Sequence, residues 1–581
     1  MKRLIYLLIL TLPFYISCNK VLDTKPLGNY TGDDVWGSYP IAQGYIYNCY
    51  SNIMGNLIRW NYDAITNDIA DGAWSTDYQN EKTQQIDKYT DEGWNNYGNI
   101  RSVNLAIQNL QTAPFSTAQK NTLLGHAYFL RSVIYFTEAE KFGGVPIVRN
   151  VLGADSNFQI PRATLKQTYD FIISDLDSAA SLLPAPANAA SGTASNGAAW
   201  ALEMRVALQA GAYLNDNTYY KKVVSAGDSL FALGYYSLDS YTNLFNSYST
   251  AVSSPENILI VNNLKTNTSF DNTPMQGIVP NGDLGTDKQT ATSLKLFPLT
   301  ETFEGWGAKW PTQDLVDDYL VTDADGTEKT WDETSYITTP GYNVNKMMYQ
   351  HRDLRFYATI LYDSTSDFNN LIFTREQGNV SLSTSPINGG GLSGSGTSTG
   401  YLFRKYLYQD QGKLWYSDPV NFCYSALRLG EAYLNYAEAE YMLGNYAIAA
   451  QYMSKTYQVH GGFKNPIPFT DPQSLWTAYT RERNVEMVLE NGDRYWSLLR
   501  WGMQKSGGLQ SGYSNSAYVI PELNGQMHGI HISINGNSYS LFNLNETNNL
   551  PLLFTAKRYL YPVPYSQIQA SPVLTQNEGW Q

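Results

Sequence analysis

Two kinds of residue in this 581-residue chain could do chemistry. The first are acids and bases: Arg131, Arg162, Arg428, Glu431, Glu438, Glu482, Arg483, Glu486, Arg494 and Arg500. Glu482 and Glu486 lie one helical turn apart and could bracket an arginine. A glycosidase needs two carboxylates about 5–10 Å apart across an open cleft. These groups instead share their segments with an apolar packing stripe, which implies partial burial and pairing. They read as structural ion pairs. Histidine is scarce, at five residues. His528 and His531 have a spacing that could reach one metal, but they sit in a Gly/Asn/Ser-rich stretch without a nearby Cys, so no metal site is assigned. Asp323-Ala-Asp325-Gly326 resembles a calcium-loop fragment, yet Val321 stands where the first carboxylate belongs; it reads as a turn. The chain contains no Ser/His/Asp set, GxSxG elbow, HExxH or phosphate-binding glycine loop. No cofactor and no catalytic residue is read.

The second kind are aromatics embedded in polar, non-periodic stretches. One is Asn67-Asp68-x-x-Asp71-Gly72-x-Trp74-x-x-Asp77-Tyr78; the other is Phe303-Glu304-Gly305-Trp306-Gly307-Ala308-Lys309-Trp310-Pro311. A sugar presents an apolar C–H face ringed by hydroxyls. An aromatic plane can cover the face while Asn, Asp, Gln or Arg bonds the rim. Trp74 and Trp306 are the candidate stacking platforms, with Asn67, Asp68, Tyr78 and Trp310 as secondary contacts. The structural alternative is that each Trp anchors its loop to the body of the protein.

Composition narrows the class. Lys and Arg number 39 against 52 Asp and Glu, for a net charge of −13, and charged residues make up only 16%. A nucleic-acid binder would carry a basic balance, and a disordered chain would be poor in aromatics. The 46 tyrosines outnumber all basic residues.

At the N-terminus, Met1-Lys2-Arg3 precedes an apolar run, Leu4 to Leu12, that is too short to span a bilayer. It fits the h-region of a secretory signal peptide. Ser17-Cys18 at its end resembles a bacterial lipobox, with Tyr15 where leucine is usual. Residues 1–17 are then the signal and Cys18 the lipidated first residue; the alternative is ordinary cleavage nearby. Cys49 and Cys423 remain, too few to staple a chain this long, and are read as free buried thiols.

The elements that must position these groups are helical. Apolar periodicity predicts helices over 94–112, 116–141 (Ser116 as N-cap), 162–183, 197–213, 218–233 and a pair within Cys423 to His460 turning at Gly444-Asn445. Small residues alternate with tyrosines, as in tetratricopeptide-type pairs, with Tyr433, Tyr436 and Tyr446 filling the grooves. About four such pairs are expected. Residues 241–420 differ, being loop-rich with short β-like pieces at Asn257–Val261 and Phe356–Tyr362. The reading is one compact unit made of 18–240, an insertion region at 241–420 and a helical part at 421–581.

Ordered motifs along this frame resemble the SusD/RagB family of outer-membrane nutrient-binding lipoproteins. After the lipobox comes Val21-Leu22-Asp23-Thr24-Lys25-Pro26. Trp94-x-x-Tyr97-x-x-Ile100-x-x-x-Asn104 is followed by Ala127-x-Phe129-Leu130-Arg131 and Phe142-Gly143-Gly144-Val145-Pro146. Then come Pro161-Arg162-Ala163-Thr164, Arg352-Asp353-Leu354-Arg355, and Leu427-Arg428-Leu429-x-Glu431-x-Tyr433. Glu482-Arg483-x-x-Glu486, Arg494-Tyr495-Trp496 and Tyr561-Pro562-Val563-Pro564 complete the set. The resemblance implies a mostly α, SusD-like superhelix of about four tetratricopeptide-like pairs. It implies a lipid-anchored, surface-exposed outer-membrane protein that binds a glycan and serves a SusC-like TonB-dependent transporter, without catalysis and without nucleic acid. In the family, ligand contacts come from the loop before the Trp94-type helix and from the central insertion, where the two aromatic stretches lie. Peptide binding, a scaffold role and glycoside hydrolysis are the competing readings.

Overall fold

Ser116 caps the longest described helix as the sequence predicts. Its hydroxyl accepts the Gln119 N–H, and the Gln119 side chain accepts the Ser116 N–H in return. That reciprocal box satisfies two donors a helix start leaves open. The computed structural model describes residues 30–71, 79–94, 96–267, 274–279, 307, 309–338, 347–380, 396–411, 419–509, 518–544 and 552–581. The signal segment, Cys18, Trp74, Tyr78 and Trp306 lie outside them.

The long helices of the first part are α1 (Tyr39–Ile53), α2 (Tyr97–Leu110), α3 (Thr117–Phe142), α4 (Leu165–Leu182), α5 (Asn196–Leu214) and α6 (Asn217–Ala232). Among the short helices of the middle region are α7 (Gln313–Asp318) and α8 (Leu354–Thr359). Four more close the frame: α9 (Leu429–Met442), α10 (Tyr446–Val459), α11 (Pro472–Met487) and α12 (Asp493–Lys505). Neighbours pack in sequence, α2 on α3, α3 on α4, α5 on α6 and α9 on α10, while α6 packs on α9 and joins the two halves. The mostly helical fold class expected from the sequence is what the chain adopts.

The small-residue logic is explicit at the α6–α9 crossing. A Cβ added at Gly227 would sit 2.5 Å from the Tyr436 ring, so only glycine lets that ring close on α6. The same ring donates its hydroxyl to Asp228 at 2.9 Å. Tyr436 is thus groove-filling architecture, as read. The tyrosine surplus has a second outlet that helix periodicity did not disclose. Tyr319, Tyr349, Tyr401, Tyr406, Tyr408 and Tyr424 are fully buried in a separate core built from the loop-rich middle region.

Strands appear in antiparallel pairs: β1 (Ile69–Asp71) with β3 (Lys309–Pro311), β2 (Asn257–Asn263) with β10 (Phe422–Arg428), β4 (Val321–Thr322) with β5 (Glu328–Lys329), and β6 (Ile360–Leu361) with β9 (Leu402–Phe403). β7 (Thr365–Asp367) with β8 (Asn370–Ile372) and β11 (His528–Ile532) with β12 (Tyr539–Asn543) complete the set described. Two expectations are corrected. The predicted helix starting at Cys423 is a strand up to Arg428: the run Phe-Cys-Tyr-Ser-Ala-Leu-Arg is buried on every residue and finds its backbone partners in β2. The β-like piece at Phe356–Tyr362 is helix first, through Thr359, because Asp353 caps it by accepting the Arg355 N–H. The Asp323–Gly326 segment is a turn, between β4 and β5, and Lys329 bonds both Asp323 and Asp325. Cys49 and Cys423 are both free and buried.

One histidine sets a pH limit on this frame. His126 of α3 is buried, and burial pulls its imidazole down to about 4. The Tyr50 hydroxyl accepts the Ala194 N–H at 3.0 Å and lies 2.8 Å from His126 Nδ1. With its acceptor side used, the hydroxyl donates to a neutral ring nitrogen. A folded pKa depressed below the unfolded value of roughly 6.5 gives stability that is present above that value. It is lost as pH falls toward 4. The shift corresponds to about 3 kcal/mol. Chemical denaturation between pH 7 and pH 4 is expected to show that loss, and His126→Gln to flatten it; an equally steep profile in the variant would reassign the effect.

Candidate functional site

Asp71 of the first aromatic stretch and Lys309 of the second are 238 positions apart in sequence, and the fold joins the stretches there. In the β1–β3 ribbon Ile69 faces Pro311, Ala70 faces Trp310 and Asp71 faces Lys309. Asp71 is the last described residue before Gly72-x-Trp74, and Lys309 lies three positions after Trp306. The described ends of both stretches therefore leave one end of one ribbon.

That end is fixed by charge. The Asp71 carboxylate receives the Lys309 ammonium on Oδ1 and the Lys82 ammonium on Oδ2, the latter at 2.6 Å. All three residues are buried. Burial draws the Lys82 ammonium down, and Asp71 opposes it. Lys82 belongs to the short helix Gln79–Lys82 that follows the first stretch, so one carboxylate ties the first stretch at both its ends to the second.

The opposite end of the ribbon holds the other predicted contacts. Thr312 N–H donates to the Asp68 carbonyl at 2.9 Å, and its hydroxyl to the Asn67 carbonyl at 2.7 Å. The Asp68 carboxylate is 1% exposed and 3.1 Å from Arg494. Burial pushes it up to about 6, against the pull of that guanidinium. Trp310 is 5% exposed and belongs to the tyrosine-rich core. As described, Asp68 and Trp310 hold the ribbon to α12 and to the core instead of facing a solute, and Asn67 is half-buried beside them. The structural alternative weighed for a loop tryptophan is the one Trp310 follows. A polar, Gly-rich neighbourhood concealed a three-residue strand whose partner is far away in sequence.

The acid and base motifs form a buried network. Arg355 donates to Glu482 at 2.6 Å and Glu486 at 2.8 Å, the bracketing expected from their spacing, and also to Asp353 at 2.6 Å. Arg428 donates to Glu486 at 2.5 Å, Glu490 at 2.7 Å and Glu256 at 3.0 Å. Glu438 takes Arg500, Glu431 takes Arg205, Asp493 takes Arg483, and Asp175 takes Arg131. Arg162 bonds the carbonyls of Gly144, Phe142 and Thr575. These motif carboxylates face guanidinium groups and not an open cleft.

Glu256, His460 and Glu486 converge closely enough to suggest a metal triad. The chemistry is otherwise. His460 Nδ1 lies 2.8 Å from Glu486 and Nε2 3.0 Å from Glu256. Burial lowers the imidazole, but the Glu486 and Glu256 carboxylates outweigh it and hold it at about 10, protonated on both nitrogens. Burial would raise Glu486, yet His460, Arg428 and Arg355 keep it well below the carboxylate range. The cations this triad needs are already protein groups. Of the other pair considered, His528 bonds Asp314 at 2.7 Å, and on strand β11 the i and i+3 side chains point to opposite faces. Sequence reasoning missed Glu256, His460, Glu490 and Lys405, which belong to no motif and join the Arg428 network only through the fold.

Among the described residues, no helix is long and apolar enough to cross a membrane. Residues 256–580 match the model of the SusD family, and residues 45–208 match a model described as starch-binding associating with outer membrane. A search of the curated proteins returned no match. Solved structures share the fold. A SusD-like protein from Bacteroides fragilis is 24% identical, with a TM-score of 0.72 over 96% of this chain and 100% of that one. A SusD-like carbohydrate binding protein from the same organism is 19% identical, with a TM-score of 0.66 over 93% and 100%. A laminarin binding SusD-like protein is 17% identical, with a TM-score of 0.61 over 93% and 98%.

Proposed function

This chain belongs to the SusD family, and from that premise we propose that it captures a glycan or oligosaccharide at the cell surface and passes it to a SusC-like TonB-dependent transporter. It does so without catalysis, tethered to the outer membrane by lipid on Cys18. The observation that carries the binding site is the β1–β3 pairing. It gathers the two aromatic-polar stretches to one ribbon end at Asp71 and Lys309. Trp74 and Trp306 are the proposed stacking platforms, and Tyr78 a further contact. Asp68 and Trp310 act at one remove, by seating the ribbon. The carbohydrate-binding and laminarin-binding relatives, and the outer-membrane association in the matched family description, support the same reading.

The direct test is calorimetry of the mature protein against a panel of oligosaccharides and a peptide library. Saturable binding to a glycan at micromolar to millimolar concentration, with no product formed, is expected. Binding confined to peptides would transfer the site to that ligand class, and released sugar would make the protein a hydrolase. For the anchor, Cys18→Ala is expected to move the protein from the membrane to the soluble fraction. Unchanged fractionation would rule out lipidation at that residue. Affinity capture through this chain is expected to retain the transporter from the native membrane.

A further inference from the structure

Four residues that line one small cavity each carry a buried nitrogen donor with no acceptor among the described residues. The donors are Arg59 Nε, Arg205 Nη1, Gln209 Nε2 and Trp496 Nε1. Arg59, Gln209 and Trp496 are each more than nine-tenths buried. The cavity offers about 20 Å³, room for one atom-sized occupant. Leaving such groups unmet costs roughly 1–3 kcal/mol each, so an occupant is required.

Each lining arginine already has a carboxylate partner, so the surplus of donors, and not net charge, decides the occupant. Arg59, Arg205, Arg483 and Arg500 line the cavity, against the carboxylates of Glu140 and Asp493. The other two acids that pair with these arginines, Glu431 and Glu438, lie behind the lining. No acceptor of a lining residue is left buried and unmet, only donors. One water accepts about two hydrogen bonds, so it answers half of this set. A monoatomic anion accepts all four and places none. Carboxylate, sulfate or phosphate is too large for the volume. We infer that this cavity is a binding site for one small anion of the halide class, chloride in the native setting.

The elements it would bridge give the site a role. Arg59 precedes the one-turn-tight helix Trp60–Ile65 that leads into β1, Arg205 and Gln209 come from α5, and Trp496 from α12. The anion ties the stem of the ribbon to both halves of the helical frame. The inference stands apart from any glycan, because no residue proposed to touch the ligand is involved.

The mature chain, crystallised and soaked in sodium bromide, is expected to show an anomalous peak within hydrogen-bonding distance of the four nitrogens. In solution, replacing gluconate by chloride at equal ionic strength is expected to raise Tm by roughly 2 °C or more, rising with chloride as linkage requires. Gln209→Glu, which brings its own oxygens, and Gln209→Met, which removes one donor, are both expected to abolish or weaken the chloride response; the second covers failure of the first to fold. Water-like density without anomalous signal overturns the inference. So does a bromide peak with no difference in Tm between the two salts, which marks binding at crystal concentration only.

Discussion

Replacing Arg428 with methionine is expected to destabilise the protein by about 3–5 kcal/mol, a large part of the roughly 5–15 kcal/mol that holds a folded domain. The side chain is 1% exposed and fills its site, so methionine preserves much of the volume. What is lost is the cation shared by Glu256, Glu486 and Glu490. His460 still faces Glu256 and Glu486, Arg355 still faces Glu486, Glu482 and Asp353, and Lys405 still meets Glu490 at 2.6 Å, but five carboxylates then meet three cations where four stood. Breaking a buried pair from one side costs more than the pair contributes, because the remaining charge is stranded in low dielectric. The double change Arg428→Met with Glu490→Gln removes one stranded charge and is expected to recover part of the loss. Lys166→Ala, which breaks an exposed one-turn pair with Asp170, is expected to cost no more than about 0.5 kcal/mol. Equal denaturation midpoints for the Arg428 and Lys166 variants would show that the network does not hold this fold. The alkaline limb has a defined sign as well. A histidine held at about 10 gives stability that is full below roughly 6.5 and fades as pH rises through 10.

That network shows how far the sequence could be read. The spacing of Glu482 and Glu486 announced an arginine between them, and Arg355 occupies that place. Local periodicity can predict a bracket but not its occupant, which lies 127 residues away in sequence from Glu482. Glu256 and His460 were invisible for the same reason: neither stands in a periodic pattern, and each acquires meaning only when β2 pairs with β10 and α10 packs on α11. Helices were legible because their signals are local: the Ser116 cap, the apolar stripe of α2, the glycine turn after α9. Short strands were not. Three residues such as Lys309–Pro311 carry no period to read, and their pairing energy comes from a partner near residue 70. Trp310 was therefore placed on a surface by its neighbours in sequence when its neighbours in space are the tyrosine core.

The ribbon separates binding from support, and the final prediction rests on that separation. Trp74→Ala and Trp306→Ala are each expected to weaken glycan affinity by roughly 30-fold, about 2 kcal/mol, the value of covering some 80 Å² of apolar sugar face. Changed together, they are expected to lower affinity on the order of 10³-fold, below calorimetric detection for a millimolar ligand. Stability should hold, because the ties described at this ribbon end are made by Asp71, Lys82 and Lys309. Trp310→Ala should do the reverse in first effect. A ring 5% exposed in a packed core costs about 3–5 kcal/mol when truncated, and any loss of affinity then follows from a loosened ribbon. Trp310→Phe, which keeps most of the packing, should restore both. Measuring affinity and denaturation midpoint on the same five variants distinguishes the cases. If Trp310→Phe abolishes binding at full stability while both loop variants bind normally, the ligand sits against the ribbon's core face and the proposed platforms are wrong. If the loop variants lose affinity at unchanged midpoint, the aromatic-polar stretches that leave Asp71 and Lys309 are where the glycan is held.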